Sequence, residues 1–423
     1  MSSIQSVIAV LVEAAKTIDF SKYGTADETY IEFIHMFDNV PDFRQKAKVT
    51  YNFGDLLCLC FLAIARSEKN VSCLGIYDHL YVYQEDYKRL GLIKEDGKIP
   101  SHDTIRRVLM SITPGEMEKE LTVSLNSILE KIASMDKGGY RHVSVDGKEV
   151  KGSGRAKTED KDGLRNIQVL NLYNNSTCVC MHSETIEEKT NEIPVAQRLL
   201  GAMELRKVVV TFDALHTQRE TCTIIADRKG YYVAPVKENQ KGLLDDMMAK
   251  FDKSGDKSLK ISQNGRDFEF LEKPKGYSCD GFKGLKTFVK MESHKGRKPL
   301  TMYFITNLSI KKTDLIMESV ESRWEIETFH KHKDGMLNED TIVLTSRTAV
   351  LNIAIMNNFA VAAAMLYGAM TGEETRISKK RMKAHPEQVV SYLLRALGSK
   401  ELVKKIEETV HSPKRKRETQ SKA

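Results

Sequence analysis

The spacing of apolar and polar positions changes twice along this chain. Up to about residue 135 the apolar residues come in blocks and at helical intervals. Phe53-Gly-Asp-Leu-Leu-Cys-Leu-Cys-Phe-Leu-Ala-Ile64 is long and apolar enough for a buried helix. After the turn-rich Lys94-Glu-Asp-Gly-Lys-Ile-Pro100, the run Ser101-His-Asp-Thr-Ile-Arg-Arg-Val-Leu109 predicts a second helix, with Ser101 as its N-cap.

From residue 140 the period becomes two. Tyr140-Arg-His-Val-Ser-Val145 reads as a strand that stops at Asp146-Gly147, a common turn pair. Asn166 to Tyr173 and Thr177 to Met181, joined at Asn174-Asn175, complete an antiparallel meander. Lys189-Thr-Asn-Glu-Ile193 opens a helix that runs to Gly201, with Asn191 at its cap. Lys207-Val-Val-Val-Thr-Phe212 is continuously apolar, as a strand buried on both faces would be, and it ends at Asp213. Arg219 to Arg228 reads helical, Gly230 to Val236 extended, and a further helix reaches about Phe251. This order predicts an α/β fold, a mixed sheet of the ribonuclease-H-like kind preceded by a helical N-terminal domain.

Between 255 and 310, three short strands at Asp267, Lys286 and Met302 predict a β-rich insertion. Helix resumes at Thr313 and continues, past a loop near Asn338-Glu-Asp340, to about Met370. The expected organisation is therefore a helical domain at 1–135 and a first catalytic part at 136–254. An insertion at 255–310, a helical second part at 311–370 and a helical C-terminal region at 371–423 follow. The basic tail from Ser412 is expected to be disordered.

Composition adds little to this pattern. A chain of 423 residues exceeds what one core usually organises. Its net charge of +7 suits a polyanionic partner without requiring one. Asn352, Asn357 and Asn358 interrupt the apolar stretch 349–370, which predicts a core helix rather than a membrane span. The N-terminus has no secretory pattern, and the seven cysteines lack zinc-ligand spacing, so reduced thiols in a cytoplasmic protein are expected. Arg106 and Arg107 could grip phosphates or simply face solvent.

The candidate chemistry is acidic. Asp146 ends one strand, Asp213 ends the buried one, and Glu327 lies on the helix after the insertion. Each has a plain structural use: a turn, a helix cap, or half of an exposed ion pair with Arg323. Together they read differently, because three clustered carboxylates repel unless cations sit among them. Oxygen ligands in that number suit Mg²⁺ or Mn²⁺. Two such ions about 4 Å apart can activate a water or 3′-hydroxyl for attack on a phosphodiester. Glu327 also shares a helical face with Arg323, His330, Lys331 and Asp334.

Five stretches occur in order: Val145-Asp-Gly-Lys-Glu-Val-Lys-Gly-Ser153, Lys189-Thr-Asn-Glu-Ile193, Thr211-Phe-Asp-Ala-Leu-His-Thr-Gln218, Val236-Lys-Glu-Asn-Gln240, and Trp324-Glu-Ile-Glu327 with Asn338-Glu-Asp340. Together they resemble the DDE transposases of bacterial insertion sequences, in particular the H-repeat-associated family. Ile99-Pro-Ser-His-Asp-Thr-Ile105 resembles the N-terminal domain associated with that family. The resemblance covers roughly residues 45 to 365. It implies metal-dependent DNA strand cleavage and strand transfer at element ends, with Asp146, Asp213 and Glu327 as triad and as ligands of two Mg²⁺ or Mn²⁺ ions. The implied partners are double-stranded DNA and further copies of the chain, as a homodimer or larger assembly. Lys148, Lys151, His216, Gln218, Lys237, Arg323 and Lys331 are candidate DNA contacts, with Asn239 and Gln240 at the same sheet edge. The match is incomplete: Val320 stands where a tyrosine is often found, and either Lys331 or Lys333 would have to serve as the phosphate-contacting lysine. Glu325 and Glu339 rival Glu327 as third acid. A domesticated nuclease of the same fold and a catalytically dead DNA-binding protein are the alternative readings.

Overall fold

The computed structural model describes residues 31–399 apart from 46, 48, 68–70, 95–96, 135–138, 156–162, 188–190, 275–280 and 296–298, with a few positions outside that span. Its centre is a nine-stranded sheet ordered β3-β2-β1-β4-β5-β9-β8-β7-β6. The strands are β1 Arg141–Val150, β2 Ile167–Asn174, β3 Val179–Ile186, β4 Val208–Phe212, β5 Tyr231–Val236, β6 Leu259–Gln263, β7 Arg266–Glu272, β8 Thr287–Ser293 and β9 Leu300–Thr306. β1 pairs in parallel with β4, and β4 with β5; the other pairs are antiparallel. Three antiparallel strands followed by two parallel ones give the ribonuclease-H-like arrangement. β9 returns alongside β5, pairing Val233 with Thr306 and Val236 with Tyr303. The strands of 255–310 thus continue the same sheet outward. β6 is not visible in the hydrophobic pattern, because Leu-Lys-Ile-Ser-Gln is largely exposed.

One local expectation is overturned. β1 does not stop at Asp146-Gly147 but continues to Val150, with Asp146 opposite Asn171 and Gly147 opposite Leu170 of β2. Only the pairing with β4 ends early, at Val145 opposite Phe212. Gly147 does not adopt the positive φ that an Asp-Gly hairpin turn demands, because β2 is long enough to keep β1 extended.

The described helices that position the site are α1 Phe53–Arg66, α2 Cys73–Val82, α3 His102–Ser111, α4 Ser124–Ser134, α5 Glu192–Ala202, α6 Arg219–Asp227, α7 Lys241–Asp252, α8 Thr313–Leu337, α9 Arg347–Thr371, α10 Thr375–Ala384 and α11 Pro386–Gly398. Ser101 caps α3 through the Thr104 N–H, and Asn191 caps α5 through the Ile193 N–H. α5, α6 and α7 cover one face of the sheet, against Val143, Val145, Val210 and Phe212. α8 covers the other face with Ile316, Met317 and Val320 against Val209 and Val233. Alternation along β1 therefore sends Val143 and Val145 toward α5, and His142, Ser144 and Asp146 toward α8.

α9 is long and apolar enough to cross a membrane, yet it is buried inside the protein. It is the axis of a second core shared by Leu57 and Phe61 of α1, Leu109 of α3, Phe359 and Ala363 of α9, and Leu393 of α11. Two of its three asparagine amides are used internally. Asn352 donates to the carbonyls of Leu109 and Ile112 at 2.9 and 3.0 Å, and Asn358 donates to Ser183 Oγ at 2.8 Å. Among the described residues six cysteines are buried and unpaired, whereas Cys279 and the basic tail lie outside them.

Candidate active site

The sheet topology builds the site. β1 and β4 run in parallel, and in each the residue after the last paired position is an aspartate: Asp146 after Val145, Asp213 after Phe212. Two acids are thereby placed side by side at one end of the sheet. α8 is pinned across β1 by polar contacts along its length. Ser319 Oγ lies 3.2 Å from His142 Nδ1, and Asn175 Nδ2 donates to the Ser322 carbonyl at 2.9 Å. His330 reaches Asp146, its Nδ1 3.5 Å from Oδ2, while its Nε2 lies 3.3 Å from Asn171 Nδ2. Glu327 stands less than one turn before His330.

Burial and the carboxylates of Asp213, Glu192 and Glu327 push the Asp146 carboxyl up to about 7. The other two anticipated acids thus both act on Asp146, and a fourth, Glu192 at the start of α5, joins them. Its position in Lys189-Thr-Asn-Glu-Ile193 was visible in the sequence, but nothing in the spacing tied it to Asp146. Among the described residues no three His, Cys, Asp or Glu side chains stand at metal-ligand spacing. The donors are nevertheless of the kind that hard divalent cations take, oxygen anions whose mutual repulsion a cation would relieve.

The rival acids are engaged elsewhere. Glu325 accepts from Asn175 Nδ2 at 3.2 Å, and burial pushes its carboxyl up to about 7. Glu339 is fully buried, 3.1 Å from Lys333 Nζ and 3.9 Å from Lys148 Nζ. Neither is among the carboxylates that act on Asp146.

The anticipated DNA contacts divide sharply. Lys148 is buried, with its ammonium 2.8 Å from both Asp334 and Asp340, so it is an internal counter-ion and not a phosphate contact. His216 is likewise buried at 1% exposure, out of reach of DNA. Lys333 is consumed by Glu339. Lys151 is exposed and pairs with Asp340 at 2.7 Å. Gln218 is half-buried and donates to the Leu215 carbonyl at 2.9 Å. Lys237 and Lys331 are exposed. Arg323 sits 3.4 Å from Glu327 and lies over the Trp324 ring at 4.7 Å. With Lys237, Trp324 and Tyr303 it lines a cavity of about 430 Å³. Asn239 and Gln240 do something the sequence did not suggest. They donate to the carbonyls of Ala214 and Thr217 at 2.6 and 3.0 Å and so brace the loop that carries Asp213. Arg106 and Arg107 are exposed on α3.

The family described as Transposase DDE domain matches residues 137–362, the span from the start of β1 into α9. The chain belongs to this transposase family. A second family, described as DDE_Tnp_1-associated, matches residues 34–123 of the same DDE transposase. The chain is 26% identical over 327 residues to "Putative transposase YncI" of Escherichia coli O157:H7, covering 71% of this chain and 79% of that protein. It is 25% identical over 330 residues to "H repeat-associated putative transposase YhhI" of Escherichia coli (strain K12), covering 71% and 82%. Among solved structures, the piggyBac transposase synaptic complex with hairpin DNA overlaps 98% of this chain and 84% of that one at 13% identity, with a TM-score of 0.41. That overlap is too loose to support anything further.

Proposed function

We propose that this DDE transposase cuts DNA strands at the ends of an insertion sequence and joins the freed 3′-hydroxyls to target DNA. The observation that carries this is that Asp213 and Glu327 both act on Asp146 where the parallel pairing of two adjacent strands ends. Asp146, Asp213 and Glu327 would hold Mg²⁺ or Mn²⁺, as two ions, which supply an activated oxygen nucleophile and charge stabilisation at the leaving oxygen. The chain's own residues prepare that site. His330 orients the Asp146 carboxylate, Arg323 draws Glu327 along the helix, and Asn239 and Gln240 fix the Asp213 loop. Exposed Lys237, Lys331 and Lys151, with Arg323, offer cations to the phosphates of double-stranded DNA, with two or more copies of the chain on one DNA assembly in the bacterial cytoplasm.

The test uses a DNA fragment bearing the cognate element ends, with Mg²⁺. Asp146→Ala, Asp213→Ala and Glu327→Ala should each lower strand cleavage by on the order of a hundredfold or more, while Glu325→Ala cleaves normally. Retained cleavage in Glu327→Ala with loss in Glu325→Ala would reassign the third acid. Capture of a labelled target duplex measures strand joining separately, and cleavage without joining would make the protein a nuclease.

A further inference from the structure

Glu192 lies where it does because residue 147 has no side chain. A Cβ built on Gly147 would run into the Glu192 carboxylate, with Cδ at 3.2 Å. Asp146 and Gly147 point to opposite faces of β1, so the carboxylate of Glu192 lies over the strand at the residue beside Asp146.

A second observation points the same way. His216 is almost wholly buried, and neither of its ring nitrogens has a hydrogen-bond partner. Its Nε2 faces Glu192 Oε2 at 3.7 Å. A buried imidazole without partners is costly unless something polar meets it. Here the polar neighbour is the fourth acid. His216 also belongs to the Asp213 loop, since its backbone N–H donates to Asp213 Oδ1 at 3.2 Å. Glu192 is therefore tied at once to the Asp146 strand and to the Asp213 loop.

We infer that Glu192 is a fourth carboxylate of the cation site, admitted by Gly147 and backed by His216. This rests on the reading of Asp146 as a cation ligand. The carboxylate adds a hard oxygen donor on the α5 side, where Asp146, Asp213 and Glu327 supply none, and more negative ligand charge tightens divalent binding. Gly147 is a requirement of this arrangement: the strand needs no special φ there, but the space above it must stay open.

The experiment is Mn²⁺ titration of the full chain without DNA, followed by electron paramagnetic resonance, with the thermal midpoint of the metal-free protein as control. Asp146→Asn should weaken Mn²⁺ by roughly a hundredfold, and Glu192→Gln by about tenfold. Gly147→Ala keeps every donor but displaces the Glu192 carboxylate, so it should weaken Mn²⁺ by a similar factor with the metal-free midpoint unchanged. If Glu192→Gln and Gly147→Ala bind Mn²⁺ as the parent does while Asp146→Asn does not, the fourth ligand is refuted and the triad stands. If Asp146→Asn also binds normally, the cation lies elsewhere and both readings fall.

Discussion

At the scale of the residue, burial against distant partners decides which charged side chains stay free to act. Asp146 and Asp213 show themselves because each directly follows a strand run, and the parallel pairing of β1 with β4 ends just before both. Lys148 looked equally exposed beside them. Its burial is set by Asp334 and Asp340, which are 186 and 192 positions away and meet it only after the sheet and α8 have formed. The same holds for Lys333, sealed against Glu339 with both side chains about 1% exposed. Removing one member of a buried pair strands the other, at a cost of about 3 kcal/mol or more. Lys333→Ala should accordingly lower the urea-unfolding free energy by about that amount, whereas Lys331→Ala should leave it within about 0.5 kcal/mol. His142 makes a second residue-scale prediction. Burial against α8 lowers its imidazole from the usual 6.5 to about 3, so the unfolded chain binds a proton that the folded one refuses. The stabilisation is complete above about pH 6.5 and is lost as pH falls toward 3. Between pH 7 and 4.5 this group alone should remove roughly 2–3 kcal/mol. His142→Asn should flatten that part of the stability–pH profile; an unchanged slope would show that other groups set it.

At the scale of the element, hydrophobic period located most helices and strands, and failed where an element answers to its partner instead of its own pattern. β1 continues through Asp146-Gly147 because β2 lies alongside it as far as Val150. β6 is exposed, so it carries no apolar alternation, and its place as the edge strand is fixed by pairing with β7. α9 shows the opposite case. Its asparagines argued against a membrane span, and the structure gives Asn352 and Asn358 specific work. Asn352 closes the end of α3 by donating to the carbonyls of Leu109 and Ile112. Asn352→Leu keeps the branched shape, with somewhat more bulk, but leaves both carbonyls buried without that donor. It should cost about 1–3 kcal/mol in urea unfolding, and a neutral result would mean that those carbonyls find other partners.

At the scale of the whole molecule, sequence distance conceals how the chain is tied together. The N-terminal helices and the C-terminal ones read as separate flanks of a catalytic unit, yet they share one apolar core around α9. Phe61 of α1 meets Phe359 of α9 edge-on at 6.0 Å between ring centroids, and Leu393 of α11 belongs to the same cluster. Next to that junction the chain after α8 is stitched to the N-terminal part. Asn338 Nδ2 donates to the Ser67 carbonyl at 3.0 Å, and Val71 bridges to Ile342 through backbone bonds of 3.1 and 2.9 Å. The intervening Glu339 and Asp340 carry the ion pairs to Lys148, two residues from Asp146. The three proposed acids are thus held by a frame that reaches both flanks of the described chain. A fragment of residues 136–370 contains every acid of the site but strips from α9 the apolar side chains of α1, α3 and α11, among them Phe61 against Phe359. Each uncovered large side chain forfeits about 1.5–3 kcal/mol of burial, more in sum than the margin of a typical domain. Size-exclusion chromatography and urea unfolding should find that fragment aggregated or without a cooperative transition, while the full chain is neither. A soluble fragment with one sharp transition would show that the sheet and α8 suffice to hold the site, and that the helices around α9 serve another purpose.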